Sequence, residues 1–146
     1  MAYKKPESVL VVLYDQHHKV LLLQRNDDPE FWQSVTGAME DGELPIETAY
    51  REVAEETGID AKQLSIEMFN HNRQNQYEIR NRWLHRYPPG TRFNTEHVFS
   101  LQVDSTLPLV LTEHLQYEWV DKAQALARLW SPSNKEAVSM FVPNVP

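Results

Sequence analysis

Three glutamates, Glu52, Glu55 and Glu56, lie close together in this chain of 146 residues. On an α-helix, residues three and four positions apart share a face, so Glu52 would face both of the others. Like charges at this spacing cost about 0.2–0.5 kcal/mol per pair. A divalent cation such as Mg²⁺, which prefers carboxylate oxygens, would turn that repulsion into coordination. The spacing alone fits a metal site, but it fits better a solvated acidic face that Arg51 partly neutralises, since Glu is a good surface helix former.

A helix from Pro45 to Thr57 is predicted to carry these carboxylates. Its apolar residues recur at helical spacing, at Ile46, Ala49, Tyr50 and Val53. Pro45 suits the first turn of a helix, and Gly58 suits a C-terminal cap. Glu55 and Glu56 would then lie in the last turn, where the helix dipole disfavours anions. Sequences usually break such local rules at functional sites.

The wider pattern around this helix resembles the signature of the Nudix hydrolase family. The signature requires a glycine, a glutamate six residues later and an Arg-Glu pair eight residues after that. An apolar residue, two adjacent glutamates, a glycine and an apolar residue follow. The chain has every one of these positions: Gly37, Glu43, Arg51, Glu52, Val53, Glu55, Glu56, Gly58 and Ile59. So many fixed positions make the signal highly specific. One difference is Thr36, where family members often have a second glycine.

The resemblance implies a role for each residue of the signature. Glu52 and Glu56 resemble the main metal ligands, Glu55 resembles a further ligand that also acts in catalysis, and Gly37 resembles a ligand through its backbone carbonyl. Two residues resemble supporting catalytic residues, Arg51 and Glu43. The implied cofactor is Mg²⁺, with Mn²⁺ as the alternative. This pattern reverses the preference for a merely solvated acidic face.

The remaining segments predict a single domain over residues 1–146. Apolar runs predict strands at 9–14 and 20–23, joined by a hairpin, and an extended segment at 33–39. Further strands are predicted at 64–69, 77–87, 97–103 and 117–120. A helix capped by Asp121 is expected to run to Leu129, and Ser133 with Glu136 predicts a capping box for a last helix. The fold implied by the resemblance is α+β, an α/β/α sandwich with a mixed sheet between helices.

Two glutamates outside the signature are candidates for proton transfer. Glu113 precedes a predicted strand, at a place where resembling enzymes carry a loop glutamate that acts as general base or binds an additional metal. A carboxylate there could accept a proton from the attacking water. A solvated loop glutamate is an equally good interpretation of Glu113, and Glu96 is a weaker candidate for the same role.

Several residues are candidates for binding a small anionic substrate. Five of the eight arginines lie within residues 70–92, where Glu78 is the only acid. If 77–87 is a strand, Arg80, Arg82 and Arg86 share one face, where they could bind a triphosphate or only keep that face soluble. Arg25 is a further candidate for a phosphate contact. Trp32, with Phe31, could stack on a flat heterocycle or pack in the core.

Composition excludes several classes of function. A formal net charge of −7 argues against binding of nucleic acid through its backbone. The lack of cysteine excludes disulfides and zinc-thiolate sites, and the six histidines form no zinc-like cluster. Residues 1–8 lack the apolar core of a signal peptide, and 9–14 is too short to span a membrane. We therefore expect a cytoplasmic protein without membrane contact, whose oligomeric state stays open.

Outside the signature, the chain resembles a bacterial branch of the family that acts on dihydroneopterin triphosphate in folate biosynthesis. The matching stretches lie within 31–37, 85–90, 94–96, 112–119 and 130–131. This resemblance implies hydrolysis of that substrate to the monophosphate and pyrophosphate. One alternative is a Nudix pyrophosphatase for dATP, another nucleoside triphosphate or a damaged nucleotide. The other is a non-catalytic nucleotide-binding Nudix module, against which the intact set of three glutamates counts.

Overall fold

A computed structural model of the protein describes residues 3–145. Met1 and Ala2, on which part of the signal-peptide prediction depends, lie outside the described residues, as does Pro146. The strands are β1 Glu7–Tyr14, β2 Val20–Arg25, β3 Trp32–Gln33, β4 Val35–Ala38, β5 Met68–Glu78, β6 Phe93–Gln102 and β7 His114–Val120. The helices are α1 Pro45–Thr57, α2 Lys122–Arg128 and α3 Pro132–Phe141, with a 3₁₀ helix at Asn81–Arg86. Within residues 3–145, no helix is long and apolar enough to cross a membrane.

The sheet is mixed and is organised around β1. β1 pairs in parallel with β6 along its whole length and antiparallel with β2 and β4. β6 pairs antiparallel with β5, and β2 pairs antiparallel with β3 and β7. The predicted hairpin between the first two strands is confirmed by the pairing of Tyr14 with Val20.

The two faces of β1 pack against different helices. Val9 and Val11 belong to a core that includes Val53 of α1. Leu10 and Val12 belong to a second core that includes Val138 of α3. Each fully buried side chain of this size contributes roughly 1.5–3 kcal/mol. The sheet therefore lies between helices, as the resemblance implied.

Most of the predicted helix boundaries are confirmed. α1 has the predicted bounds, and Gly58 ends it in the left-handed conformation at φ 79°. Asp121 caps α2 by accepting a hydrogen bond from the Gln124 amide at 2.8 Å. The predicted capping box of the last helix is wrong, because α3 begins at Pro132 with Ser131 as its N-cap. Proline is well suited to the first helical position, which places the start before Ser133.

Two strand predictions need correction. In the segment 64–69, residues 64 and 65 belong to a turn, with Ser65 at φ 57°, and β5 begins only at Met68. The segment 77–87 is not a strand, because β5 ends at Glu78 and the 3₁₀ helix follows. Strand alternation therefore does not place Arg80, Arg82 and Arg86 on one face. The stretch after Glu78 leaves the sheet and packs its tryptophan against another aromatic ring, as described below.

Candidate active site

Gly37 on β4 lies against the Glu52 side chain of α1. A Cβ atom on Gly37 would come within 2.0 Å of Glu52 Cδ and 2.3 Å of its Oε1. Contacts that short do not occur, so any other residue would push the Glu52 carboxylate away. The glycine of the signature thus lets the strand and the acidic helix approach each other closely.

Arg51 joins the other polar residues of the signature. Its Nε and Nη2 donate to the two carboxylate oxygens of Glu43 at 2.7 and 2.9 Å. Its Nη1 donates to Glu52 Oε1 at 2.8 Å and lies 3.3 Å from both Glu55 oxygens. The Arg51 guanidinium is the first cause that lowers the pKa of Glu43, to about 2. The ion pair of Arg51 and Glu43 therefore orients the carboxylates of α1.

Glu52 and Glu56 form an acidic pair, in which Glu52 is partly buried and Glu56 is buried. Glu56 is 3% exposed, and its Oε1 has no hydrogen-bond partner within the described part of the chain. Burial and then the Glu52 carboxyl raise the pKa of Glu56 well above its ordinary value. Burial also raises the pKa of Glu52. A cation bound between the two carboxylates would stabilise their charged forms.

These residues fit a divalent cation. An unpartnered buried carboxylate oxygen beside a second carboxylate is the oxygen-rich environment that Mg²⁺ or Mn²⁺ requires. Among residues 3–145, no three acidic, histidine or cysteine side chains already stand together as a complete metal site. The Glu55 side chain, which is 54% exposed, turns toward Arg51. Glu52 and Glu56 would bind the cation with little movement, whereas the exposed Glu55 side chain would have to turn away from Arg51 to reach it.

Glu113 lies at the end of the loop before β7, beside the acidic helix. It is exposed and lines one cleft together with Glu52, Glu55 and Glu56. Its charge contributes to the raised pKa of Glu56. This position allows it to face a water molecule near the acidic pair, as a general base must.

His114, which the sequence did not single out, lies beside Glu56. Its Nε2 lies 3.7 Å from Glu56 Oε1 and 3.3 Å from Gln33 Nε2. Burial is the main cause that lowers its pKa. A neutral imidazole can support a neighbouring carboxylate without competing with a cation for it. In the sequence, only the position of His114 next to Glu113 could have indicated that it lies beside a carboxylate of the site.

A second cleft carries positive charge next to the acidic helix. It has a volume of about 350 Å³ and is lined by Lys4, Arg25 and Arg86 together with Glu56 and Glu113. Burial and then the Arg86 charge lower the pKa of Lys4. Asp27 also lines the cleft, where it accepts hydrogen bonds from Arg25 at 2.6 Å and lies 3.6 Å from Arg86. Lys4, Arg25 and Arg86 could contact a phosphate chain here if its oxygens replaced the Asp27 carboxylate.

A cavity of about 530 Å³ opens beside this cleft on the α3 side of the sheet. Its walls include Trp83 and Trp130, which meet edge to face at 5.8 Å. Arg80 lies 4.8 Å above the Trp130 ring, and Phe31 stacks on that ring at 4.7 Å. Thr36 and Gly37 line both this cavity and clefts near the acidic helix. A flat ring held here could extend its phosphates toward α1.

The structure separates the other predicted substrate residues. Arg25, Arg80 and Arg86 line the large cavity. Arg82 pairs with Asp28 at 2.9 Å and lines none of the three cavities described above. Trp32 packs against the second core, under Arg128, and does not line them either. The aromatic walls come instead from the two tryptophans named above, Trp83 and Trp130.

Known proteins share both the sequence and the fold of this chain. The sequence model of the NUDIX domain family matches residues 4–141. The dihydroneopterin triphosphate diphosphatase of Escherichia coli (strain K12) is 46% identical over 143 residues, which covers 97% of this chain and 95% of that protein. The protein of the same name from Haemophilus influenzae is 40% identical over 146 residues, covering 99% and 92%. A solved structure of the E. coli dihydroneopterin triphosphate pyrophosphohydrolase matches with a TM-score of 0.93 at 45% identity, covering 97% and 98%.

Proposed function

The chain belongs to the NUDIX domain family and is a Nudix hydrolase, and from this premise we propose that it hydrolyses dihydroneopterin triphosphate to dihydroneopterin monophosphate and pyrophosphate. We propose Mg²⁺ as the cofactor, with Mn²⁺ as the alternative. The relatives that match nearly the whole chain carry the name of this activity.

One observation carries the proposal: the acidic helix, the cationic cleft and the aromatic cavity meet at β4. Thr36 lines all three cavities, and Gly37 lines both the large cavity and the acidic cleft. A substrate with a flat ring in the cavity and phosphates in the cleft would present its phosphate linkages to the carboxylates of α1. The cavity, the cleft and the carboxylates of α1 thus follow one another around β4 in the same order as the ring, the phosphate chain and the linkage to be cleaved.

Each group in the site has a proposed task. Glu52, Glu56 and the Gly37 carbonyl would hold the cation, with Glu55 as a further ligand. A cation bound there supplies charge stabilisation for the phosphate oxygens during cleavage. The remaining tasks belong to the chain: Glu113 accepts the proton of the attacking water, Arg51 and Glu43 keep the carboxylates oriented, and Lys4, Arg25 and Arg86 bind the phosphate chain.

A ranking of substrates tests this proposal. The quantity is kcat/KM with saturating Mg²⁺ for dihydroneopterin triphosphate, ATP, dATP, GTP and 8-oxo-dGTP. We expect the pterin to exceed each nucleotide by about tenfold or more, which is about 1.4 kcal/mol in transition-state binding. A preparation of Glu56→Gln made in the same way serves as the control for contaminating phosphatases.

Two results would contradict the proposal at different levels. If dATP or an oxidised nucleotide exceeds the pterin tenfold, the substrate is wrong and the hydrolase remains. If no triphosphate is hydrolysed above the rate of the Glu56→Gln control, the chain is a binding module instead.

A further inference from the structure

The large cavity contains a buried carboxylate that the proposed reaction does not use. Glu96 on β6 is 3% exposed and lines this cavity. Its hydrogen bond from Asn75 Nδ2 is long, at 3.4 Å. Among residues 3–145, no Lys, Arg or His forms an ion pair with it. A carboxylate buried in this way is costly unless a partner is provided.

Glu96 lies too far from the acidic helix to share its chemistry. Its register partner is Ser8 on β1, and the other neighbour of Ser8 is Ala38 on β4. Two strand spacings, about 10 Å, therefore separate Glu96 from β4. The cleft that holds the carboxylates of α1 does not include Glu96. This separation argues against Glu96 as the general base and places it at the ring end of the substrate.

The surroundings of Glu96 suit the edge of a flat ring. The cavity that Glu96 lines also has aromatic walls, which include Trp83, Trp130 and Tyr77 and offer apolar surface to a heterocycle. The cations Lys4, Arg25 and Arg86 line the cavity and also the neighbouring phosphate cleft. A ring whose phosphates point to those cations would direct its opposite edge away from them. Three carboxylates line the cavity, and two of them, Glu78 and Glu136, pair with Arg92 and Arg73. The carboxylate without an ion pair among residues 3–145 is Glu96.

We propose that Glu96 determines the ring specificity of the site by accepting two hydrogen bonds from a 2-amino-4-oxo pyrimidine edge. Such an edge has a ring N–H and an exocyclic amino group side by side, which match the two oxygens of a carboxylate. The inference rests on the proposed function, since dihydropterin has this edge. Guanine has it too, whereas the corresponding edge of adenine pairs one donor with one acceptor.

The electrostatics of Glu96 agree with this role. Burial raises its pKa, and the Ser133 hydroxyl and the Asn75 amide act in the opposite direction. Two more donors from a ligand would favour the charged form further. A bidentate contact of this kind discriminates between bases by about 1–3 kcal/mol, which is about 5- to 150-fold.

A pair of nucleotides that differ only in the amino group tests the contact without any mutation. GTP has the 2-amino group and ITP lacks it. Their inhibition constants are measured as competitive inhibitors of dihydroneopterin triphosphate hydrolysis by the wild-type protein. We expect GTP to bind at least about fivefold more tightly than ITP. A ratio below about twofold would overturn the inference.

The substitution Glu96→Gln then assigns the preference to this residue. The amide keeps the shape but places a donor against a donor of the ring, so the GTP-to-ITP ratio should fall to below about twofold. The inhibition constant of ATP should not rise, because the donor and the acceptor of the adenine edge match those of a Gln amide. Glu67→Gln, the same substitution at an exposed residue that lines none of the three cavities, should leave both values unchanged.

Other outcomes separate this inference from the proposed function. An equal loss of affinity for GTP, ITP and ATP in Glu96→Gln would mean a general structural role and would overturn the specificity role. If the wild-type protein prefers dihydroneopterin triphosphate while its GTP-to-ITP ratio is near one, the proposed function stands and the inference fails. A preference for dATP over the pterin would instead contradict the proposed function directly.

Discussion

Replacing Glu43 with Gln removes one charge of the ion pair between Arg51 and Glu43, which orients the carboxylates of the acidic helix. Arg51 binds both oxygens of Glu43, and this contact is the first cause of the low pKa of Glu43, about 2 against an ordinary 4.5. A difference of that size corresponds to about 3 kcal/mol of stability at neutral pH. The two side chains are 23% and 17% exposed, so solvent screening reduces the value. We expect Glu43→Gln to lower the free energy of unfolding by about 1–2 kcal/mol.

The pH dependence of this loss follows from the direction of the pKa change. The pKa of Glu43 is lower in the folded chain, so the stabilisation is fully present above about pH 4.5 and is lost as the pH falls toward 2. Urea unfolding of the metal-free wild-type and variant proteins at pH 7 and pH 3 measures it. The difference between the two proteins at pH 3 should be less than about half of its value at pH 7.

The matched control is Glu47→Gln in the same helix. Glu47 is exposed, and its Oε1 accepts a hydrogen bond from the Leu44 amide at 2.8 Å, which a Gln can also accept. Its effect should stay within about 0.5 kcal/mol at both pH values. The ion pair would not stabilise the fold electrostatically if Glu43→Gln lowered the free energy of unfolding equally at pH 7 and pH 3. The same conclusion would follow if its effect were no larger than that of the control.

Three further substitutions separate the roles proposed for the site. Glu56→Gln should abolish metal-dependent hydrolysis and also the rise in melting temperature that saturating Mg²⁺ gives the wild-type protein, and a preserved thermal shift would count against Glu56 as a ligand. Glu113→Gln should lower kcat about a hundredfold with little change in KM, whereas a loss below about threefold would return Glu113 to a solvated loop residue. Arg86→Ala should raise KM or lower kcat, while Arg92→Ala, at an arginine that pairs with exposed Glu78, should change neither.

Local sequence patterns predicted the acidic helix well. Helical spacing, a proline at the start and a glycine at the end depend on neighbouring residues alone, and α1 has the predicted bounds. The contact between Arg51 and Glu43 joins residues only eight positions apart. The resemblance to the Nudix signature therefore carried most of the information about this part of the site.

The substrate cavity could not be predicted in the same way, because its residues meet only through long-range packing. Trp83 and Trp130 are distant in the chain and come together when the 3₁₀ helix leaves the sheet. The polar stretch 70–76 contains no apolar alternation and became a strand through its pairing with β6. The sequence alone presents Glu96 only as a candidate base, since its distance from α1 depends on the order of β4, β1 and β6.

Phosphorus NMR of a single reaction mixture tests the central claim most directly. The purified protein is incubated with dihydroneopterin triphosphate and Mg²⁺, and a parallel sample contains excess chelator. The account predicts dihydroneopterin monophosphate and pyrophosphate in equal amounts, and no turnover with chelator. Release of single orthophosphate, or turnover that persists with chelator, would contradict cleavage of the diphosphate linkage by the metal site on α1.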